Sequence, residues 1–258
     1  MSRHFLILTE QRSGSTMLVH MLREHPRVRC FGELMRRTPK WMRERGYKGQ
    51  LRVLDDLDPK WRDDRYRFAN GETFRDLVYA TEPGYDWYGF KLHLGQGDGY
   101  VERAIGRPEE KLILLRRENL LAQFSSELIA QATGQGNANA STGEVKKARV
   151  DFVARDFDKH IKQSDARWSR LTEGIRSAGR DSVYLSYLDA VSGDGVGRAL
   201  AYLGLEAASG LESNTVKRNT SRIVERFTNV DDVVSHLYRI GRPEWAEEGQ
   251  DAAVGAEA

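Results

Sequence analysis

The stretch His4-Phe5-Leu6-Ile7-Leu8-Thr9, then Gln11-Arg12-Ser13-Gly14-Ser15-Thr16, then Met17, Leu18, Met21 and Leu22 at helical spacing decides the fold. A short β-prone apolar run is broken by a Ser/Gly turn, and an amphipathic pattern follows as far as Pro26. That reads as strand, loop, helix. The alternation returns in VRCFG (28–32), YGFKLHL (88–94), KLILLRR (111–117) with the amphipathic LLAQFSSELIAQA (120–132), and SVYLSYL (182–188). A helical pattern also runs through 151–178, on Phe152, Phe157, Ile161, Trp168 and Leu171. Nearly continuous apolar strands alternating with helices predict an α/β parallel sheet flanked by helices on both faces.

Two segments break the pattern. Residues 35–67 are dense in Arg, Trp and Tyr and read as a helical insertion, while 133–146 are rich in Gly, Asn, Ala and Ser and read as a mobile loop. That loop follows the 120–132 helix, so we expect it to close over a ligand. The 258 residues suggest one domain over 1–242 and a solvated acidic tail over 243–258, which holds five carboxylates and no Lys or Arg. Net charge is only +2, yet residues 3–52 hold 12 basic and 4 acidic side chains, so this third of the chain should prefer anions. The single cysteine, Cys30, excludes an internal disulfide, and no apolar run approaches the ~18 residues of a membrane span. The expectation is a cytoplasmic protein with no stable membrane insertion.

Chemistry concentrates at two strand–helix junctions. In QRSGST (11–16) the glycine lets the backbone turn tightly and aim successive N–H groups at one point, where the following helix already favours an anion. The loop lacks the second glycine and the lysine of a Walker A motif. Alone it could equally be an N-capped turn, and Arg12, a cation beside the cradle, tilts the reading towards anion binding. The second junction, LRRENLLAQFSS (115–126), puts Arg116 and Arg117 at a strand end and Ser125 two turns along a helix, a second anion site. Its plain alternative is a solvated turn capped by Asn119.

Together these two motifs resemble the nucleotide-binding signatures of the sulfotransferases that use 3′-phosphoadenosine 5′-phosphosulfate (PAPS). HPRVRCFGEL (25–34) resembles the family's segment after the first helix, and TVKRNTSRIVERFTNVDDVVSHL (215–237) its C-terminal stretch. The RR-x-N-L-L pattern is closest to the bacterial carbohydrate and small-molecule branch. The resemblance implies a P-loop-like sheet, PAPS as sulfuryl donor, no metal, and a small-molecule, glycan or lipid-linked sugar acceptor. It implies that Ser13, Gly14, Ser15 and Thr16 bind the 5′-phosphosulfate, and that Arg117 and Ser125 bind the 3′-phosphate. Arg116 is the second choice for that arginine, and Lys217 and Arg218 approach the same phosphate. Most members carry lysine where Arg12 stands. Arginine keeps its proton, so Arg12 should stabilise charge on the leaving oxygen and not protonate it.

For the general base, Glu33 in GEL resembles the glutamate of bacterial and heparan-type members, and His93 in FKLHL resembles the histidine of the cytosolic branch. Glu33 ranks first. Lys91 either orients the sulfonate or is structural. Trp41, Trp61, Tyr66, Trp87 and Tyr88 are candidates to stack on an acceptor or to fill a core. Two rival readings are an atypical P-loop kinase, which lacks a Walker lysine, and an Arg-rich nucleic-acid-binding module, for which no motif is present. We therefore expect no nucleic-acid partner, and the sequence sets no oligomeric state.

Overall fold

All five apolar runs form strands. β1 (Arg3–Thr9), β2 (Val28–Phe31), β3 (Trp87–His93), β4 (Glu110–Arg116) and β5 (Ser182–Ser186) make one parallel sheet in the order β2-β3-β1-β4-β5. The computed structural model describes residues 3–38, 49–96, 99–135, 148–206 and 221–248. Their helices are α1 (Ser15–Arg23), α2 (Asp64–Ala69), α3 (Gly71–Ala80), α4 (Tyr100–Ile105), α5 (Leu120–Thr133), α6 (Ala154–Ser177), α7 (Tyr187–Ser192), α8 (Asp194–Tyr202) and α9 (Val230–Arg239). No described helix is long and apolar enough to cross a membrane. The chain divides into two compact units. The first comprises Met1–Glu10, Gly14–Arg116 and Arg170–Ser213, and the second Gln11–Ser13, Arg117–Ser169 and Asn214–Ala258.

The first unit contains the whole sheet. β1 pairs with β3 on one edge and β4 on the other, and its two faces follow the period of a strand. Phe5 and Ile7 join Leu18, Val19 and Leu22 of α1 and Ala199 and Leu200 of α8 in one core layer. On the opposite face Leu6 and Leu8 are buried, His4 meets Tyr79 of α3 edge-on, and Phe90 meets Tyr100 of α4. Helices thus cover both faces, as continuous apolar strands require. Cys30 is buried in the first layer, where burial pushes its thiol up to about 12.

The described part of the 35–67 segment contains two tight 3-10 turns, Gly49–Asp55 and Pro59–Arg62, before α2; residues 39–48, including Trp41, lie outside the described residues. Its centre is the fully buried guanidinium of Arg67, which donates to the carbonyls of Trp61 and Arg36, to Thr38 Oγ1 and to Asp64 Oδ1. Trp61 packs on Tyr66 and Phe74, and Trp87 and Tyr88 are buried within β3, so these three candidate stacking residues fill core. Tyr66 remains partly exposed.

The second unit has its own core, with Leu121 and Phe124 of α5, Phe152, Phe157, Phe227, and Val233 and Leu237 of α9. Asn119 caps α5 by accepting from the Ala122 N–H, and Gly134 closes the helix in the left-handed region. The expected loop continues into 136–146, outside the described residues. The first six residues of the segment expected as an acidic tail are among the described residues. Pro243–Ala246 form a 3-10 turn, Trp245 packs on Phe157, and Glu248 is buried; only 249–258 lie outside the described residues.

One contact fixes the spacing of the sheet's first core layer. A Cβ at Gly89 would stand 2.4 Å from the Phe5 ring, so β3 can run beside β1 under that ring only with glycine there. Gly89→Ala should lower unfolding stability by about 1–3 kcal/mol through overpacking, measured by urea denaturation. An unchanged urea midpoint would mean that Phe5 moves aside freely.

Candidate functional site

In the first unit, polar chemistry gathers where β1, β2 and β3 end. Gly14 adopts φ 81, a left-handed conformation, and a Cβ there would also meet the Tyr187 ring at 3.0 Å. Its carbonyl accepts from the N–H of Met17, starting α1, whose first turn carries no acidic side chain. The amides of Ser15 and Thr16, at the first two positions of the helix, have no intrahelical acceptor.

β3 supplies the cation. Its residues 87, 89, 91 and 93 share the face turned towards α1, so Lys91 and His93 are polar substitutions in an apolar layer. Lys91 Nζ donates to Thr16 Oγ1 at 3.0 Å and to Ser15 Oγ at 3.4 Å, and lies 3.4 Å from Glu33 Oε1. Glu33, just beyond β2, also sets Oε2 3.7 Å from His93 Nδ1, which is buried without a hydrogen bond. Of these three side chains Glu33 is the most open, at 19% exposure.

Burial works on both members of the Glu33–His93 pair. It raises the Glu33 carboxyl, but the charges of His93 when protonated, of Lys91 and of Arg36 outweigh it and hold the group below its ordinary value. Burial lowers His93 to about 4, against the pull of Glu33. Near neutral pH His93 is therefore uncharged, and Lys91 and Arg36 are the cations that keep Glu33 ionised. The arrangement joins a carboxylate able to accept a proton to a cation at a helix N-terminus.

The second unit organises the loop residues Gln11, Arg12 and Ser13 with α5. Gln123 Nε2 donates to the Gln11 carbonyl at 2.7 Å, and Arg12 Nε donates to Ser126 Oγ at 3.0 Å. Arg12 is the one described non-glycine residue with positive φ, at 62. Its carbonyl accepts from Arg117 Nη1 at 2.9 Å. Arg117 is buried and forms a bidentate pair with Glu248, its Nε at 2.7 Å from Oε1 and its Nη2 on Oε2. Ser125 is fully buried, donating to the Ala122 carbonyl and accepting from Arg226 Nη1 at 3.1 Å. So Asn119 is the expected cap but Arg117 is not a solvated turn residue, and Arg117 and Ser125 face different partners. Lys217 and Arg218 lie outside the described residues. Sequence reasoning missed Gln123, Ser126, Arg226 and Glu248. Only the i, i+3 spacing of Gln123 and Ser126 on α5 hinted that the loop has partners there.

Among the described residues, no group of three His, Cys, Asp or Glu side chains is placed to hold a metal ion. A family model described as the sulfotransferase family matches residues 5–187, which include both strand–helix junctions, Glu33, Lys91 and His93. The chain belongs to the sulfotransferase family. Two solved structures resemble this sulfotransferase. The sulfotransferase domain from the curacin biosynthetic pathway is 16% identical with TM-score 0.43, over 81% of this chain and 76% of that one. Sulfotransferase STF9 from Mycobacterium avium is 12% identical with TM-score 0.49, over 93% and 76%. No curated protein matches the chain.

The Glu33–His93 pair ties the sulfotransferase's stability to acidity. His93 titrates near 6.5 when unfolded and about 4 when folded, so between those values the unfolded chain binds more protons. Stability is therefore full above pH 6.5 and falls as pH drops towards 4, by about 3 kcal/mol in all. The depressed Glu33 adds a loss of the same sign, starting near 4.5 and running down through its folded value. His93→Asn should flatten the pH 4–6.5 limb in urea titrations and shrink the lower one, because protonated His93 is among the charges that depress Glu33; an unaltered upper limb would remove His93 as its source.

Proposed function

We propose that this sulfotransferase moves a sulfuryl group from PAPS to a hydroxyl of a small molecule, a glycan or a lipid-linked sugar. One observation carries the reading: the buried Lys91 ammonium sits 3.0 Å from Thr16 Oγ1 in the first turn of α1 and 3.4 Å from the Glu33 carboxylate. A phosphosulfate suits those residues. The first turn of α1 has no acid to repel it, the amides of Ser15 and Thr16 lack helical acceptors, and a cation stands beside the two hydroxyls of those residues.

When bound, the donor supplies an activated sulfuryl group, whose S–O bond to phosphate breaks as the acceptor oxygen bonds to sulfur. Glu33 takes the acceptor's proton, and the breaking bond's electron pair stays on the phosphate oxygen. Lys91 holds the sulfuryl oxygens, and its charge keeps Glu33 ionised and ready to accept. His93, uncharged beside Glu33, is the second candidate for the base. Arg12 stabilises the negative charge that grows on the leaving oxygen, a role worth about 3–4 kcal/mol per donor in well-studied sites. It gives up no proton. Gly14, Ser13, Ser15 and Thr16 bind the 5′-phosphosulfate. Arg117, Ser125, Lys217 and Arg218 take the 3′-phosphate, on the strength of the motifs that contain them.

The test joins binding to chemistry. Adenosine 3′,5′-bisphosphate at about 100 times its Kd should stabilise the protein by about 2.7 kcal/mol, read as a raised Tm. Incubation with PAPS and candidate hydroxyl compounds should add one sulfonate by mass. Glu33→Gln should lower kcat by about 10²–10⁴ with nucleotide affinity nearly kept, and His93→Ala by less. A Tm indifferent to the nucleotide, with no sulfonated product, would end the reading; a larger loss at His93 would move the base there.

A further inference from the structure

We infer that Glu248 is a positioning residue of the transfer loop: through Arg117 it holds the main chain at Arg12. The consequence for transfer rests on the role proposed above for Arg12, while the tether itself does not. Glu248 lies 131 positions after Arg117, on a segment fixed at several points. Its N–H donates to the Ser221 carbonyl at 2.9 Å, and Glu247 pairs with Arg222 in an antiparallel bridge. Asn119 Nδ2 donates to the carbonyls of Trp245 and Glu247 at 3.1 and 2.9 Å, while Asn119 Oδ1 caps α5. The segment is thereby bound to the start of the helix that Arg117 precedes.

The carboxylate takes one edge of the guanidinium, through Nε and Nη2, and this bidentate grip sets the plane of the group. In that plane Nη1 donates to the Arg12 carbonyl. Arg12 needs such a hold because φ 62 is unfavourable for a side chain with a Cβ. Its side chain is held separately, through Nε on Ser126. Main chain and side chain of the loop cation are thus fixed by different residues, and Glu248 governs the first. A carboxylate on a phosphate-binding arginine could instead be a plug that an incoming phosphate displaces. The backbone anchors around Glu248 favour a fixed support.

Glu248→Ala alone leaves Arg117 buried without its counter-charge and can unfold the protein, so the double variant R117M/E248L accompanies it, removing both charges together with the bond to Arg12. Hydrogen exchange is read at the amides of residues 11–13, with β1 and β4 amides as the reference. We expect exchange about tenfold faster at 11–13 in the double variant and in Glu248→Ala, less in the isosteric Glu248→Gln, and unchanged in the strands. With PAPS, Glu248→Gln should lower kcat several-fold and leave the donor KM within about threefold, since the loop cation acts on developing charge. Unchanged loop exchange in the double variant overturns the inference. So does tighter binding of adenosine 3′,5′-bisphosphate by Glu248→Gln than by the wild type, the mark of a plug. A wild type that binds no such nucleotide overturns the proposed function and leaves the exchange result to decide the tether.

Discussion

A strand hydrogen-bonded on both edges and buried on both faces can hold almost no polar side chain along its length, and β1 is such a strand. Beyond its more open start at Arg3 and His4, its next polar residue waits for its end. That residue is Thr9, whose hydroxyl is satisfied at once by the Leu115 carbonyl of β4 at 2.7 Å, while its own carbonyl accepts from Leu94 past β3 at 2.7 Å. Because every strand of the sheet is parallel, β2 and β3 end on the same side. The central position of β1 therefore dictates where polar chemistry can collect in the first unit.

Lys91 follows from the same geometry. An ammonium on an inward position of β3 would be prohibitively costly to bury alone, so oxygens from two other elements converge on it: the hydroxyls of Ser15 and Thr16 from α1, and the carboxylate of Glu33 from the end of β2. His93, two residues on and on the same face, is buried as the neutral ring. The charges in the cluster are thus one buried cation and one less buried anion, with an uncharged imidazole beside them. Together with the charge of Arg36, this balance keeps the Glu33 carboxylate ionised.

The sheet was legible because its physics acts locally: strands covered on both faces need unbroken apolar runs, and each run in the sequence is a strand. Lys91 and His93, which interrupt such a run at a spacing of two, drew attention through the family resemblance of FKLHL. Gln123, Ser126 and Ser125 were harder. In an amphipathic helix polar residues are read as the solvent face, but here they are buried against a polar loop and another polar side chain. Glu248 was illegible for two reasons. It sits among acidic neighbours whose composition signals solvation, and its partner is more than a hundred residues away. Periodicity carries no information about such a pair.

The arginine at position 12 fits its surroundings for a reason that concerns shape as well as charge. An ammonium has a single nitrogen, so a lysine bonded to Ser126 would hold all its charge and its three N–H donors at that one point. A guanidinium can anchor through Nε, as Arg12 does on Ser126 Oγ, and still carry charge on two terminal nitrogens. Anchoring by Nε also removes much of the rotamer freedom that a long cation otherwise loses when it meets an anion. The Arg117 bond to its carbonyl and the Ser126 bond to its Nε then act together, the first on the left-handed main chain and the second on the side chain. A substitution to lysine at this position preserves the charge and loses the anchor, so charge alone is a poor guide to what the loop needs.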